Sequence, residues 1–300
     1  MKRLILYFFA RLLYFLPDVT MLKLQYWIKF HRKLNIKEPK RFTEKMQHYK
    51  AFYRNPDMQI CTDKYEVRKY VVNKLGTDKY LNKLYQVCDN AHEIDFDNLP
   101  LKFVIKTTSG GNGMNVEICR DKSKLDIPWL IKRVNEWNHL KYNILSREWA
   151  YEWTSKGDRK SRIIVEEYLE NKDNSDSSLD DFKFFCYDGK FRFLNWDKNR
   201  YSGHKRRFYD KDLNMLEGVG NFPNFDSSIG LPKNINEMIE VSEKLAAGFP
   251  FARVDLYNVD GKIIFGEITF YPASGFGNYH PDSFDFELGK YLNVNNYMCK

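Results

Sequence analysis

Short apolar segments come in pairs along this chain, each pair joined by a polar turn, and this pattern limits the possible folds. Three such pairs recur, at residues 99–106 and 116–119, 182–186 and 191–196, and 251–257 and 262–268. Turn residues between short apolar segments are typical of β-hairpins, whose strands pair antiparallel. Segments with helical periodicity lie among the pairs, at residues 63–75, 129–137 and 236–247. We therefore predict an α+β fold with antiparallel sheets rather than a doubly wound parallel sheet.

The size and charge of the chain limit the functions that it can have. With 300 residues, 43% of them hydrophobic, it can bury the core of two or three lobes and is not expected to be disordered. Its net charge of +8 fits an anionic partner, such as a nucleotide, a phosphoglycan or an anionic membrane. A solvated basic surface would carry the same charge. Nucleic acid is not an expected partner, because no reader motif accompanies the basic residues.

The cysteines favour a reducing compartment. They lie far apart, at Cys61, Cys88, Cys119, Cys186 and Cys299. Because no pair has C-x-x-C spacing, the sequence predicts neither a zinc site nor a disulfide framework. We therefore expect a cytoplasmic protein.

Residues 1–33 allow two interpretations. Residues 4–16 are apolar except for Arg11, and no small-residue cleavage site of the kind that ends a signal peptide follows them. The run is shorter than the roughly 20 apolar residues of a spanning helix. Residues 21–33 mix apolar and aromatic side chains with basic ones. Such a helix could lie on a membrane surface, or it could pack on the protein with its basic face outward.

A glycine-rich sequence, Lys106-Thr-Thr-Ser-Gly-Gly-Asn-Gly113, follows the first apolar segment of the first pair. Glycines let backbone N–H groups approach a phosphate closely, and the lysine supplies positive charge. The sequence is not a Walker loop, because the lysine precedes the glycines. An ordinary hairpin turn could have the same sequence.

A second candidate nucleotide contact is Ile163-Ile-Val-Glu166-Glu167-Tyr-Leu169. This segment runs from an apolar strand into adjacent acids and an aromatic residue. Backbone groups at such a strand end can bind a nucleotide base between apolar side chains. The alternative is a strand that ends in solvated glutamates.

Asp181 and Lys183 open the next predicted hairpin, where strand alternation places them on one face. There they could contact a ribose hydroxyl and a phosphate, or they could form an exposed ion pair. Arg200 and the run Lys205-Arg-Arg207 follow. These basic residues could bind an anionic substrate, although such a run is often a solvated face.

Asp255 and Glu267 lie on the two arms of the last predicted hairpin, whose turn contains Asp260-Gly261. The turn would bring the two acids side by side between apolar neighbours. Two buried, unpaired carboxylates repel each other, and Mg²⁺ would relieve the repulsion because it binds one or two carboxylates together with phosphate oxygens and water. The alternative is that each acid pairs with an arginine, most obviously Arg253.

In this order, the segments resemble the ATP-grasp superfamily. They resemble more closely its branch named for teichuronopeptide biosynthesis, the TupA-like branch, often labelled glycosyltransferase-like in polysaccharide clusters. The resemblance spans roughly residues 35–292. The sequences that carry it are Arg41-Phe-Thr-Glu-Lys45, Asp63-Lys-Tyr-Glu-Val-Arg68, Asp181-Phe-Lys-Phe-Phe-Cys186, Phe249-Pro-Phe-Ala-Arg-Val-Asp-Leu-Tyr257 and Gly266-Glu-Ile-Thr-Phe-Tyr-Pro-Ala-Ser-Gly-Phe-Gly277.

The resemblance implies an ATP-grasp fold, in which two α+β lobes with antiparallel sheets clasp ATP after a helical N-terminal segment. It implies a helical region with a first lobe at residues 1–98, a small lid lobe at 99–162 and a large lobe with the metal site at 163–300. It also implies a ligase that uses ATP and Mg²⁺ to join a carboxylate to an amine through an acylphosphate. We expect the carboxylate on a cell-surface glycan or its lipid-linked precursor, and the donor to be an amine or amino acid.

The resemblance also implies roles for individual residues. Those expected around the nucleotide are Lys106, Ser109, Gly110, Gly111, Gly113, Glu166, Glu167, Leu169 and Asp181. Those expected in catalysis are Lys183, Arg200 and Arg253, and those expected at Mg²⁺ are Asp255, Glu267 and Thr269. Two features depart from the family pattern. Thr269 stands where the superfamily usually has Asn, and the glycine-rich sequence differs from the H-G-S-G-type loop expected in this branch.

Two other functions stay open. A nucleotide-sugar glycosyltransferase would use a D-x-D sequence, and Asp95-Phe-Asp97 and Asp210-Lys-Asp212 match that string in polar contexts. A non-catalytic membrane- or glycan-binding protein would share the basic charge but would not turn over ATP. Peripheral contact with the inner face of the plasma membrane through residues 1–33 is compatible with each of these functions.

Overall fold

The computed structural model describes residue 13 and residues 15–110, 115–138, 146–154, 159–171, 179–200, 203–226 and 228–294. Within these residues it contains two antiparallel β-sheets with helices packed against them. The α+β class predicted from the paired apolar segments is confirmed. Gly111 and Gly113, two of the residues expected at the nucleotide, lie outside the described residues, as do residues 1–12.

Three of the helices, those that begin at Glu66, Ile127 and Ile235, fall close to the positions predicted from periodicity. The described helices are α1 (Asp18–Phe30), α2 (Phe42–Phe52), α3 (Pro56–Cys61), α4 (Glu66–Leu75), α5 (Ile127–Asn138), α6 (Ile235–Ala246) and α7 (Asp282–Lys290). α4 begins later than predicted, because Asp63 Oδ1 accepts the backbone N–H groups of Tyr65 (2.8 Å) and Glu66 (3.1 Å) and so caps the turn before the helix. Gly76 ends α4 in the left-handed conformation, with φ 71°.

The first sheet contains β1 (Leu84–Cys88), β2 (Phe103–Thr107), β3 (Val116–Cys119) and β4 (Ile163–Glu167), in the order β1-β4-β2-β3. β2 and β3 pair as the predicted hairpin. On one face, Ile105 and Val165 pack in the same core as Leu130 of α5. Strand alternation leaves Lys106 and Glu166 on the opposite face.

The strands of the first sheet come from all three of the predicted regions. β4 pairs with β1 through Cys88 and Ile163, and with β2 through Lys106 and Ile164. Pairing on both edges satisfies the backbone donors and acceptors of β4, which is buried. The regions 1–98, 99–162 and 163–300 therefore do not coincide with the sheets.

The second sheet contains β5 (Asp181–Tyr187), β6 (Lys190–Lys198), β7 (Lys205–Tyr209), β8 (Met215–Leu216), β9 (Phe251–Val259) and β10 (Lys262–Thr269), in the order β10-β9-β5-β6-β7-β8. The β5–β6 and β9–β10 pairs are the other two predicted hairpins. Both residues of each turn, Asp188-Gly189 and Asp260-Gly261, have positive φ. Tight hairpin turns that match the twist of the strands require this conformation.

The two faces of the second sheet differ. One face is apolar and packs against α6, so that Met238 and Val254 share one core. The other face is divided. At one end Phe42 of α2 contacts Phe251, with ring centroids 5.1 Å apart. The other end of this face, which we call the polar end, carries Asp181, Lys183, Asn195, Asp197, Arg253, Asp255, Glu267 and Thr269.

α1 lies within the part of the N-terminal region that sequence analysis predicts to be helical. Its Leu22 and Tyr26 pack with Leu34 and Ile36, and the Tyr26 hydroxyl lies 3.0 Å from Thr43 Oγ1. One face of α1 therefore packs on the protein. Within the described residues, no helix is both long enough and apolar enough to cross a bilayer.

Candidate active site

Strand register places two of the three predicted metal ligands side by side. Asp255 pairs with Glu267 on one edge and with Lys183 on the other. A β-bulge at Gly266 separates Glu267 from the regular ladder, and a Cβ at this position would lie 2.9 Å from the Asp255 carbonyl oxygen. The bulge therefore requires glycine, and it changes the direction of the following side chain.

Asp255 is buried and is held by two cations. Arg253 donates to it twice, from Nε to Oδ1 at 2.7 Å and from Nη2 to Oδ2 at 2.7 Å. Lys183 Nζ lies 3.1 Å from Oδ2. Burial alone would raise the pKa of Asp255, but the adjacent Arg253 and Lys183 hold it below its ordinary value. The arginine pairing that sequence analysis kept as an alternative is therefore present at Asp255.

Glu267 differs from Asp255 because its side chain is 46% exposed. Its Oε1 lies 3.5 Å from Arg253 Nη2 and accepts a hydrogen bond from the Thr269 hydroxyl at 3.3 Å. Glu267 thus presents an accessible carboxylate next to a buried one. Thr269 lies against both Glu267 and Arg253. Its Oγ1 is 3.1 Å from Arg253 Nη2.

The donor set at this position fits Mg²⁺ bound together with phosphate. Among the described residues, no group of three or more His, Cys, Asp or Glu side chains is arranged to hold a metal. Mg²⁺ does not need such a cage, because it is commonly bound by one or two carboxylates, with water and substrate phosphates completing its shell. Asp255, Glu267 and the Thr269 hydroxyl supply hard oxygen atoms of this kind. Binding the ion through Asp255 would replace a contact with Arg253 or Lys183.

Asp181 and Asn195 carry acceptors that the protein leaves unsatisfied. Their Oδ1 atoms are buried and, in the part of the chain that the structure describes, make no hydrogen bond. The other oxygen of Asp181 is ion-paired with Lys183 and lies 3.3 Å from Arg200 Nη1. Burial raises the pKa of Asp181, Lys183 offsets part of that rise, and the nearby Asp255 adds to it. Two buried, unpartnered acceptors beside a lysine can accept hydrogen bonds from a ligand that brings its own donors.

Asp197 is a charged residue of the polar end that sequence analysis missed. It accepts hydrogen bonds from Arg206 Nε at 2.6 Å and Nη2 at 3.0 Å, and Lys183 Nζ lies 4.0 Å away. Burial alone would raise the pKa of Asp197, but Arg206 lowers it to about 2. Alternation of Asn195 and Asp197 with apolar residues along β6 is the signal that could have revealed this polar row.

The basic run is divided between the site and the protein interior. Arg206 is paired with Asp197 at the edge of the polar end. Arg207 is buried and donates to the backbone carbonyl groups of Phe225 at 2.6 Å and Ile229 at 3.1 Å. Arg207 is therefore a structural residue and not part of a solvated face. Arg200 is the residue of this region that contacts Asp181.

Lys106 and Glu166 are ion-paired on the face of the first sheet opposite Ile105 and Val165. Lys106 Nζ lies 2.9 Å from Glu166 Oε2, and Arg68 Nη1 of α4 lies 3.4 Å from Oε1. Although burial opposes ionisation, Lys106 and Arg68 lower the pKa of Glu166. The backbone N–H of Glu167 donates a hydrogen bond to the Lys83 carbonyl oxygen. Leu169 lies two residues after the end of β4. Arg68 is a second residue that sequence analysis left out of the site.

Lys64 lies where the two sheets approach each other. It donates a hydrogen bond to the carbonyl oxygen of Gly110 in the glycine-rich sequence. It also lines a small cavity together with Tyr151 of the Trp149–Thr154 3₁₀ helix and Glu267 of β10. Burial lowers the pKa of Lys64, and Glu267 offsets part of that shift. This lysine belongs to one of the sequences that carry the family resemblance, but it was not among the residues with a predicted role.

Ser109 is the other described residue of the glycine-rich sequence with a predicted role. It is buried, and its Oγ lies 2.8 Å from the Oγ of Ser161, just before β4. This contact, with the bond from Lys64 to Gly110, holds the start of the loop against the first sheet. The two sequence motifs predicted for phosphate and base therefore adjoin each other.

Both D-x-D sequences lie in turns. Asp95 accepts hydrogen bonds from the backbone and side chain of Asn98. Asp210 accepts the backbone N–H groups of Asp212 and Asn214, each at 2.9 Å. The first aspartate of each string therefore stabilises a local turn, and neither string belongs to the polar end of the second sheet.

The family model described as TupA-like ATPgrasp matches residues 44–293. None of the curated proteins compared with the chain matches it.

Several solved structures are similar at low sequence identity. D-alanine–D-alanine ligase from Bacillus anthracis is 17% identical, with a TM-score of 0.46, and the match covers 79% of this chain and 69% of that one. L-amino acid ligase from Bacillus licheniformis is 15% identical, with a TM-score of 0.48 and coverage of 88% and 57%. N5-carboxyaminoimidazole synthetase from Staphylococcus aureus, complexed with ADP, is 13% identical, with a TM-score of 0.46 and coverage of 80% and 53%. The chain spans little more than half the length of the last two.

Proposed function

Because the chain belongs to the TupA-like ATPgrasp family and so has the ATP-grasp fold, we propose that it is an ATP-dependent ligase that joins a carboxylate to an amine. The observation that carries this proposal is the register of the second sheet. It sets Asp255 beside Glu267 on one edge and Lys183 on the other, while Lys106 lies beside Glu166 on the first sheet. This geometry suits a triphosphate bound with a divalent cation.

In this proposal, cations from both sheets surround the triphosphate. Lys106 and Lys64 contribute from the side of the first sheet, and Lys183 contributes from the second. Ser109 and Gly110 begin the loop that would cover the phosphates. Preorganised positive groups stabilise the charge of a transferring phosphoryl group without reorganising at the moment of reaction.

The nucleoside would extend from the phosphates toward the end of β4. Glu166, Glu167 and Leu169 would flank the base, and the unpartnered Oδ1 of Asp181 would accept a ribose hydroxyl. Glu166 is ion-paired with Lys106, so its role would be to orient that lysine.

Asp255, Glu267 and Thr269 would hold Mg²⁺. When bound, the ion supplies positive charge that stabilises the phosphoryl group during transfer. The ion pair of Arg253 with Asp255 then places the guanidinium next to the metal ligands, where it can bind the reacting carboxylate.

The proposed reaction has two steps. A carboxylate oxygen of the substrate forms a bond to the γ-phosphorus while the bond from that phosphorus to the ADP oxygen breaks, which gives an acylphosphate. The amine nitrogen then forms a bond to the acyl carbon, phosphate leaves, and the amine loses a proton. The protein aligns the reactants, and Arg200, Arg253 and Lys183 stabilise negative charge.

We propose that the carboxylate belongs to a cell-surface polysaccharide or its lipid-linked precursor, and that the reaction takes place in the cytoplasm. The net charge of +8 supports an anionic acceptor. A uronic acid offers both the negative charge and the carboxylate that the reaction needs. An amine or amino acid completes the amide.

The test is ATP-dependent phosphate release, screened over uronic-acid glycans combined with amino acids or amines. We expect activity in the wild type and its loss in Lys106→Ala and Glu267→Gln. The matched controls are Lys290→Ala and Glu287→Gln on α7, whose side chains are exposed. Activity that survives both site changes would overturn the assignment. Protection against heat by UDP-sugars and not by ATP would favour a glycosyltransferase instead.

A further inference from the structure

A stripe of exposed apolar residues runs along the outer face of α1. Leu24 is 36% exposed, Trp27 55% and Ile28 58%. The spacing of three and four residues places these side chains on one face of the helix. Leu22 and Tyr26 occupy the opposite face and are buried against the protein. α1 is therefore fixed in position while it presents a continuous apolar surface to the outside.

Basic residues surround this stripe. Lys23 lies on the same exposed face, one turn before Trp27, and Lys29 and Lys33 are exposed at the end of α1 and just after it. Between Val19 and Thr43 the sequence has seven lysines and arginines but a single acid, Glu38. The surface around the stripe is thus positively charged.

The acids on either side of the stripe do not pair with the lysines around it. Asp18 lies 3.3 Å from Arg147, and Asp282 of α7 lies 2.8 Å from Arg32. In the described part of the chain, no ion pair involves Lys23, Lys29 or Lys33. These lysines therefore keep their full charge for an anionic partner.

We propose that the outer face of α1 is a docking surface for an anionic lipid bilayer. Trp27, Ile28 and Leu24 would enter the interfacial layer, and the lysines would contact anionic headgroups. A second copy of this chain fits less well, because a symmetric interface would bring the lysines of the two stripes together. The contact is peripheral, and it does not depend on the ligase activity proposed above.

The test is sedimentation of the full chain with vesicles of phosphatidylcholine alone and of phosphatidylcholine mixed with phosphatidylglycerol. We expect binding to the anionic vesicles, weakened by added salt. The double change Trp27→Glu with Ile28→Glu should reduce partitioning by about tenfold or more. Lys23→Gln should reduce it about fivefold.

The matched control is Trp129→Glu on α5, because Trp129 is exposed to a similar degree, 51%. It should bind vesicles like the wild type, and so should Glu267→Gln, which tests the ligase proposal separately. Absence of binding to anionic vesicles would overturn the inference, as would equal losses in the Trp27/Ile28 and Trp129 variants. A dimer in sedimentation velocity that Trp27→Glu abolishes would assign the stripe to a second copy instead.

Discussion

Two clusters of buried side-chain oxygen atoms in this protein differ in how completely the protein provides them with hydrogen-bond donors. Where α1, α2 and α7 meet, Asp285 accepts hydrogen bonds from the Thr43 backbone N–H at 2.9 Å and from its hydroxyl at 2.7 Å. Arg32 lies 3.7 Å from the same carboxylate. At the polar end of the second sheet, the Oδ1 atoms of Asp181 and Asn195 have no hydrogen-bond partner among the residues that the structure describes.

This difference distinguishes an acid that holds the fold together from acceptors that are still able to bind a ligand. A buried acceptor without a partner costs about 1–3 kcal/mol, and a ligand that supplies the missing donor removes that cost. We therefore expect substitutions at the polar end to reduce activity more than stability. Substitutions at the helix junction should do the reverse.

Glu267→Gln should have the largest effect, on activity. We expect ATP-dependent phosphate release to fall by about a thousandfold, because the neutral amide binds a cation poorly and loses the charge next to Asp255. The free energy of unfolding in urea should change by less than about 0.5 kcal/mol, because the side chain is half-exposed. If the free energy of unfolding fell by as much as the activation free energy rises, the two clusters would not differ in the way proposed.

Asp285→Ala should have the largest effect on stability. Its loss leaves the Thr43 backbone N–H unsatisfied in a buried site and removes the acceptor of the Thr43 hydroxyl, so the free energy of unfolding should fall by about 3 kcal/mol. The matched control is Asp282→Ala in the same helix, whose exposed ion pairs with Arg32 and Arg41 should contribute less than about 1 kcal/mol. Equal losses in the two variants would contradict the structural role assigned to Asp285.

Asp197→Asn tests a residue at the polar end that the protein does satisfy. Because Arg206 lowers the pKa of Asp197 to about 2 in the folded state, its ionised form stabilises the fold above the unfolded pKa. We expect the variant to lose about 2 kcal/mol at neutral pH. The difference from the wild type should shrink as pH falls from about 4 toward 2, and urea unfolding across that range measures it. A difference that does not change with pH would assign the loss to packing.

Thr269 should have the smallest effect and would refine the metal assignment. Thr269→Asn restores the residue usual in the superfamily, and we expect the Mg²⁺ concentration for half-maximal activity to fall about fivefold. Thr269→Val keeps the shape but removes the oxygen, and it should raise that concentration. If the two variants change the Mg²⁺ dependence equally, Thr269 does not contribute a ligand oxygen.

Short-range patterns made much of the fold predictable. Asp188-Gly189 and Asp260-Gly261 favour tight turns by themselves, so the β5–β6 and β9–β10 hairpins followed from turn chemistry and alternation. The hairpin brought Asp255 and Glu267 close together, but its turn alone would pair Asp255 with Gly266, and the β-bulge at Gly266 is what sets Glu267 opposite Asp255. The helix end at Gly76 is equally local.

Tertiary structure alone decided the partners that lie far apart in the chain. The pairing of β1 with β4, the contact of Lys64 with Gly110, and the ion pair of Arg68 with Glu166 join segments whose own sequences favour no particular partner. In the same way, the sequence alone did not determine that one face of α1 is buried and the other exposed. Such contacts form only when the whole chain buries its apolar faces together, because the free energy of packing distant segments must first exceed the entropy lost in closing the loops between them.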